Sequence, residues 1–189
     1  MRKINSAHEE KLIKACIKGN SKAQEELYRH FYGYAMGISL RYTKRREEAV
    51  EILNDSFFKA FIKIKQYESG RSFKSWLARI VVNTAIDHYR RNKKHQNHVD
   101  ISTLKDHQYD SNLIDSLAAA DLLKLVQQLP DAYRMTFNLY EIEGYSHEEI
   151  SKKLDIPLGT SRSHLSRAKV KLREMITKQF GVSYANSLR

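Results

Sequence analysis

Residues 146–173 read SHEEISKKLDIPLGTSRSHLSRAKVKLR, and this stretch decides the fold of the C-terminal part of the chain. Ser146 and Glu149 have the spacing of a capping box, which predicts the start of a short helix. The sequence Asp-Ile-Pro-Leu-Gly at 155–159 predicts a tight turn. A longer basic helix follows, and we predict Thr160 as its N-cap. A short helix, a tight turn and a longer helix together make a helix-turn-helix.

The second helix of this motif has two different faces. Its inward stripe, with spacings of three and four residues, is predicted to be Leu165, Ala168, Leu172 and Ile176. Its outer face is polar and basic and carries Arg162, Ser163, Ser166, Arg167 and Lys169. Arginine can pair bidentately with guanine in the major groove, and serine can reach several base edges. The free N–H groups at the helix N-terminus, around Thr160, can bind phosphate. The pattern therefore predicts DNA binding.

The rest of the chain is predicted to be helical as well. It contains two prolines and seven glycines in 189 residues, and long stretches repeat apolar side chains with the helical period. The fold class is therefore all-α. We predict helices that start near Ala7, at Ser21 (with Gln24 as its capping-box partner), near Arg46 and after Ser72, which acts as a cap.

A change of composition divides the chain into two small domains. Residues 96–121 contain five Asp and one Lys, and helical periodicity is weak there. A structureless loop of this length is uncommon inside a compact domain, so we predict a flexible acidic linker. Fully extended, 25 residues span about 80 Å. The predicted organisation is a domain at 7–92, the linker at 93–117, the helix-turn-helix domain at 118–178 and a tail at 179–189.

The net charge of +11 is concentrated in two places. Residues 71–95 hold seven Lys or Arg and one Asp, and residues 157–178 hold six Lys or Arg and one Glu. An excess of positive charge favours a polyanionic partner, either nucleic acid or an acidic membrane surface. Two separate basic patches indicate two separate contacts with that partner.

The single cysteine, Cys16, excludes an intramolecular disulfide and fits a reducing compartment. It lies among apolar residues at helical spacing, so we interpret it as a small buried side chain. The N-terminus lacks the apolar core of a signal peptide, and no segment approaches the roughly 18 apolar residues of a membrane span. We therefore expect a soluble cytoplasmic protein with no membrane insertion.

Signs of catalysis are weak, and we expect no catalytic site, no cofactor and no metal site. The sequence has neither a phosphate-binding glycine-rich loop nor a His-Glu-x-x-His motif. Three histidines could be considered as metal ligands, but they lie in or beside the predicted linker without a fourth partner: His95, His98 and His107.

Three stretches together resemble one family. LPDAYRMTFNLYEIEGYSHEEISKKLDIPLGTSRSHLSRAKVKLREM at 129–175 resembles the C-terminal DNA-binding region of bacterial sigma-70 family factors, specifically the small extracytoplasmic-function (ECF) group. FKSWLARIVVNTAIDHYRR at 73–91 resembles the promoter-melting helix of that group. EEAVEILNDSFFKAFIKI at 47–64 resembles the helix with which those proteins bind core RNA polymerase. The three stretches follow one another along the chain in the same order as in the family.

The resemblance implies roles for individual residues. Promoter −35 bases would be read by Arg162, Ser163, Ser166 and Arg167, with phosphate contacts from Thr160, Lys169, Lys171 and Arg173. The −10 element, with an unstacked base near 67–72, would be bound by Lys74, Arg79, Asn83, Arg90 and Arg91. Phe73 and Trp76 would offer aromatic faces to that base, although the spacing of Trp76 favours the core. Core polymerase would be contacted by Glu51, Asn54 and Asp55.

The implied function is an alternative sigma factor that directs transcription initiation at a specific regulon, with core RNA polymerase and promoter DNA as partners. Many members of the group also have an anti-sigma factor, which makes one an expected partner here. Two other interpretations remain open. A repressor or response-regulator output domain would have a ligand pocket or receiver upstream, and a general nucleic-acid or membrane-surface binder would spread its charge more evenly.

Overall fold

The computed structural model describes residues 6–68, 70–96 and 117–180, and all regular structure in these ranges is helical. The α-helices in chain order are α1 (Ser6–Ile17), α2 (Ser21–Tyr42), α3 (Arg46–Lys63), α4 (Phe73–Gln96), α5 (Leu117–Gln128), α6 (Asp131–Phe137), α7 (His147–Leu154) and α8 (Leu158–Phe180). A short 3-10 turn, Ile64–Gln66, follows α3, and a π-helical turn, Asn138–Ile142, follows α6. The predicted all-α class is confirmed.

The start of α2 corrects one prediction. The helix begins at Ser21 as expected, but its N-cap is Asn20, whose side-chain oxygen accepts a hydrogen bond from the Ala23 N–H at 3.0 Å. Ser21 is already the first helical residue, so its hydroxyl is not in the capping position. The predicted capping box of Ser21 with Gln24 is therefore wrong by one residue, because two adjacent residues both have cap-type side chains.

The fourth helix is longer than predicted. Ser72 caps α4 as expected, since its hydroxyl accepts a hydrogen bond from the Ser75 N–H at 3.3 Å. The helix then continues to Gln96, past the predicted domain end at 92. The first residues of the predicted linker are thus helical, and the remainder, 97–116, lies outside the described residues.

The helix-turn-helix forms with one change at its second helix. The capping box of Ser146 and Glu149 is present, and the C-cap that follows α7 is Asp155, which has a left-handed backbone (φ 52°). Helix α8 begins at Leu158, three residues earlier than a Thr160 N-cap would place its first helical residue. Thr160 is therefore not the N-cap. It lies in the first turn, where its backbone N–H still belongs to the group without an intrahelical partner.

The main hydrophobic core joins both halves of the chain. Helices α1 to α4 pack around one apolar face of α2, and Leu27 and Ala35 are fully buried there. The same cluster includes side chains from the C-terminal half, namely Met135, Leu139, Ile150 and Leu154. A smaller cluster lies between α5 and α8 and consists of Leu125, Leu129, Ala168 and Leu172. The helix-turn-helix half consequently packs against α2 and α4.

Within the described ranges, no helix combines the length and the apolar character needed to cross a membrane.

The corrected cap of α2 gives a direct test. We expect Asn20→Ala to lower the free energy of unfolding by about 1 kcal/mol, because one N–H group at the start of the helix loses its acceptor. Ser21→Ala, at the neighbouring exposed position, should stay within about 0.5 kcal/mol of the unsubstituted chain. Urea unfolding followed by circular dichroism measures both. A larger loss of unfolding free energy in Ser21→Ala than in Asn20→Ala would instead support the capping box of Ser21 with Gln24.

Candidate nucleic-acid interface

The outer face of α8 presents the predicted base-reading residues to solvent. Arg162, Ser166 and Arg167 are exposed, whereas Ser163 is only partly exposed. The Ser163 hydroxyl donates a hydrogen bond to the Thr160 carbonyl at 3.0 Å, so its donor is already used within the helix. The Arg167 guanidinium donates to the Tyr133 hydroxyl at 3.3 Å, which supports its side chain from α6. The exposed arginines have the donors needed for groove recognition.

The predicted phosphate-binding residues lie on the same helix but differ in their surroundings. Lys171 and Arg173 are exposed. Lys169 forms an ion pair with Glu141, with Nζ 2.7 Å from the carboxylate oxygen. A phosphate contact by Lys169 would have to replace that partner, whereas Lys171 and Arg173 can contribute charge directly.

Side chains between the two helices of the motif hold α8 in place. Ile150 and Leu154 of α7 are buried, and the buried Ser161 hydroxyl lies 2.9 Å from His147 Nδ1.

Burial lowers the pKa of His164, and the positive charges of Arg167 and Lys93 lower it further. His164 therefore stays neutral at neutral pH, and the positive charge of this face comes from its Lys and Arg side chains.

On α4, the predicted −10 residues do not form a single cluster. Arg79, Asn83 and Arg90 are exposed and follow one stripe, because separations of four and eleven residues return to nearly the same helix face. Lys74 lies on another face, with its ammonium 4.5 Å from the centre of the Tyr34 ring. Arg91 is also off the stripe and lies 3.6 Å from the Asp55 carboxylate.

The aromatic residues near the start of α4 correct a further expectation. Phe73 is 1% exposed and packs against Phe31 with ring centres 5.1 Å apart, so it cannot offer a face to an unstacked base. Trp76 is partly buried, with its ring centre 5.6 Å from that of Tyr67 and 5.4 Å from that of Phe73. The expectation for Phe73 is wrong because the phase of α4 turns this side chain into the core.

The predicted polymerase-contacting residues share an exposed face of α3. Glu51, Asn54 and Asp55 are all exposed, and Asn54 accepts a hydrogen bond from the Tyr28 hydroxyl at 3.1 Å. The same face carries two large apolar side chains that the sequence reasoning missed, Phe58 and Ile62, which are 68% and 65% exposed. They are four residues apart and lie off the buried stripe of α3, and this spacing was the signal that could have identified them.

The histidines that were considered as metal ligands fall where nothing is described of their side chains. His95 is in the last turn of α4, and His98 and His107 lie outside the described residues. Among the side chains that the structure describes, no group of three potential metal-binding residues converges.

Comparisons with known proteins place these surfaces in one family. Residues 27–95 match the family model for Sigma-70 region 2, and residues 119–172 match the model for Sigma-70, region 4. The chain is 28% identical over 177 residues to the ECF RNA polymerase sigma-E factor of Haemophilus influenzae, covering 87% of this chain and 91% of the relative. It is 26% identical to the RNA polymerase sigma-H factor of Pseudomonas aeruginosa, covering 93% and 95% of the two chains.

A solved structure supports the fold. The sigma factor RpoE of Bartonella quintana, in a co-crystal structure with the anti-sigma factor NepR, aligns with a TM-score of 0.50 and 23% identity, covering 82% of this chain and 97% of that one. The two region matches stand in the order that the sequence resemblance implied, and together they cover α4 up to residue 95 and the first part of α8, residues 158–172. The chain belongs to the sigma-70 family of RNA polymerase sigma factors, within its extracytoplasmic-function group.

Proposed function

We propose that this sigma factor binds core RNA polymerase, reads the −10 and −35 elements of its promoters, assists promoter melting and so directs initiation at a specific regulon. One observation carries the proposal: region 2 and region 4 occur in one chain, and each includes an exposed basic helix. A repressor does not need the region 2 half, and a general polyanion binder needs neither region 2 nor region 4.

The −35 element is assigned to α8. Arg162 and Arg167 are the base-reading arginines, because both are exposed on the outer face and neither is held by a carboxylate in the described structure. Ser166 is exposed beside them, and Ser163 contributes less because its hydroxyl already donates to Thr160. Thr160, Lys169, Lys171 and Arg173 are assigned to phosphates, which add affinity without sequence choice.

The −10 element is assigned to the exposed stripe of α4. The Asn83 amide can both donate to and accept from a base edge, and Arg79 and Arg90 flank it along the helix. Lys74 and Arg91 lie off that stripe and are better placed to hold the strand backbone. Trp76 acts mainly as support for the loop before α4.

Core polymerase is assigned to the exposed face of α3. Glu51, Asn54 and Asp55 supply its polar part, and Phe58 and Ile62 extend it with apolar surface. Exposed apolar pairs of this size are costly in a free protein and typical of a surface that a partner covers. An anti-sigma factor is a further proposed partner of the chain.

We also propose that the chain has no catalytic activity or cofactor of its own and acts in the cytoplasm, because phosphodiester chemistry belongs to the polymerase that it binds. Reconstitution with sigma-free core RNA polymerase on a library of promoter fragments tests the proposal. We expect start-site-specific transcripts that depend on the added chain. Absence of core binding would refute the sigma function even if DNA binding persisted.

Base reading by α8 predicts a specific pattern of losses. We expect Arg162→Ala and Arg167→Ala each to cost about 1–3 kcal/mol on a preferred −35 sequence and to relax sequence choice. Holoenzyme binding to matched and mismatched promoter fragments measures both. Equal weakening on every sequence would instead make these arginines phosphate contacts.

The control for this prediction is Lys171→Ala on the same helix. Loss of a phosphate contact should weaken all sequences alike and reduce the slope of log K against log salt by about 1. A change of sequence preference on removing Lys171 would contradict its assignment.

The apolar extension of the α3 face predicts reduced polymerase affinity. We expect the double variant Phe58→Ala and Ile62→Ala to weaken binding to core RNA polymerase by about 2 kcal/mol or more, because two side chains no longer bury apolar surface. Leu122→Ala, at another exposed apolar position, is the matched control. Competition for core with a labelled sigma factor gives the affinities, and equal affinity of the two variants would place the polymerase contact elsewhere.

A further inference from the structure

The inward face of α8 begins with a polar residue. Ser161 lies four residues before Leu165 and seven before Ala168, so it continues the stripe that packs into the core. It is fully buried, although it is a serine in an otherwise apolar stripe. A buried hydroxyl group needs a hydrogen-bond partner, because leaving it without one costs free energy. The partner lies outside α8, since Ser161 Oγ is 2.9 Å from Nδ1 of His147, the first residue of α7.

His147 is itself held from two sides. The preceding residue, Ser146, forms the capping box with Glu149, with hydrogen bonds of 3.2 Å to the Glu149 N–H and 2.8 Å from the Ser146 N–H to the Glu149 carboxylate. The imidazole ring stacks on Tyr140 of the π-helical turn, with ring centres 4.6 Å apart and planes inclined by 27°. The capping box fixes the backbone of His147 and the stacking restricts its ring. His147 is therefore a well-defined point of attachment for α8.

The bond from His147 to Ser161 is the second connection between α7 and α8. The first is the turn itself, where the Ser151 hydroxyl donates to the Ile156 carbonyl at 2.5 Å and so closes the turn on the end of α7. A turn alone would leave the angle between the two helices to apolar packing, which has no direction. A hydrogen bond is limited in both length and direction. The bond at the opposite end of α7 therefore fixes the first turn of α8 relative to α7.

Arg162 depends on the position of this first turn. It follows Ser161 directly and lies about 100° further around the helix, where its side chain is exposed. Among the described residues, no hydrogen bond or ion pair holds the Arg162 side chain, so its placement follows the backbone of α8. Arg167 differs, because its guanidinium donates to the Tyr133 hydroxyl of α6 at 3.3 Å. The two arginines that are proposed to read bases thus have different supports.

We propose that His147, acting through Ser161, is a positioning residue for Arg162 and so governs the choice of one base pair of the −35 element from outside α8. This inference rests on the proposed function of α8. A bidentate contact between arginine and guanine tolerates little displacement, because both of its hydrogen bonds must keep their length and direction. Recognition groups generally need to be held within about 0.5 Å of their working position. Loss of the bond between His147 and Ser161 should therefore affect the base pair of Arg162 and spare that of Arg167.

This expectation differs from that for a contact which only stabilises the helix-turn-helix. Loss of a merely stabilising contact would lower the stability of the motif and weaken binding to every sequence alike. Loss of a positioning contact changes the preference among base pairs at one place. A buried hydrogen bond adds little net stability compared with apolar packing of the same volume, but it specifies one arrangement of the groups that it joins.

The experiment uses the full chain bound to core RNA polymerase and promoter fragments in which each −35 base pair is replaced in turn. Arg162→Ala and Arg167→Ala identify the base pair that each arginine reads. Ser161→Ala removes the buried hydroxyl, and His147→Phe keeps a ring against Tyr140 but removes the nitrogen. We expect each of these two variants to reduce discrimination at the Arg162 base pair by about fivefold or more, the lower end of the range for a bidentate pair. Discrimination at the Arg167 base pair should change by less than about twofold.

Two controls accompany these variants. The double variant Ser161→Ala with His147→Phe should lose no more discrimination than the more affected single variant, because both substitutions remove the same bond. Ser39→Ala removes the hydroxyl of another fully buried serine, which donates to the Ala35 carbonyl at 3.0 Å within α2, and should leave discrimination at both base pairs unchanged. Circular dichroism checks that each variant is folded. If His147→Phe does not fold, Ser161→Ala decides alone, because alanine is the best helix former.

Three results would contradict the inference. Equal losses at the two base pairs in Ser161→Ala would make the bond a general support of α8 and overturn its positioning role. Lost discrimination in Arg162→Ala but in neither Ser161→Ala nor His147→Phe would overturn the inference while leaving base reading by α8 intact. Unchanged base preference in Arg162→Ala would refute base reading by this arginine, and the inference would fail with it.

Discussion

The structure depends on how α2 ends. Its last turn cannot satisfy its own carbonyl groups, and water cannot do so in a buried position. The Thr43 hydroxyl donates to the Ser39 carbonyl at 3.2 Å, and the next two carbonyls take side-chain amides from residues some 90 positions further along the chain. Arg134 in turn donates to the Gln127 carbonyl at 3.1 Å and so fixes the end of α5 that bears the capping amide. One backbone requirement thereby connects the two halves.

The charges and apolar side chains on the surfaces of these halves determine what each surface can bind. The positive charge of α8 is carried by exposed side chains, and His164, whose pKa is lowered, adds none. On α4 the charge is divided between an exposed stripe and residues held at its edges by Tyr34 and Asp55. The α3 face, with acidic and apolar side chains, is left for a partner of different chemistry. The separation of these surfaces matches the several partners of a sigma factor.

Much of this could be predicted from the sequence, because helical periodicity specifies which residues are inside. Leu165 and Ala168, which helical spacing places on the inward face, are both buried. The exact cap of α2 was missed because Asn20 and Ser21 are equivalent by residue type and differ only by one position. Phe73 lies four and eight residues before the buried Leu77 and Val81, so helical spacing favours the core for it, and its expected role as an exposed ring came only from the family resemblance. The hydrogen bonds of Gln127 and Asn138 to the end of α2 join residues far apart in the sequence, and no local sequence pattern predicts them.

The π-helical turn has a consequence for register. Asn138 and Glu143 are five residues apart, and in an α-helix that spacing would turn their side chains about 140° away from each other. In the π-helical turn, the Glu143 N–H bonds to the Asn138 carbonyl at 3.0 Å, so five residues complete nearly one turn. Both side chains then face the end of α2. A single inserted position in an ordinary helix is enough to produce such a turn, so loss of one residue from 139–142 would turn the Asn138 amide and the Glu143 carboxylate away from each other.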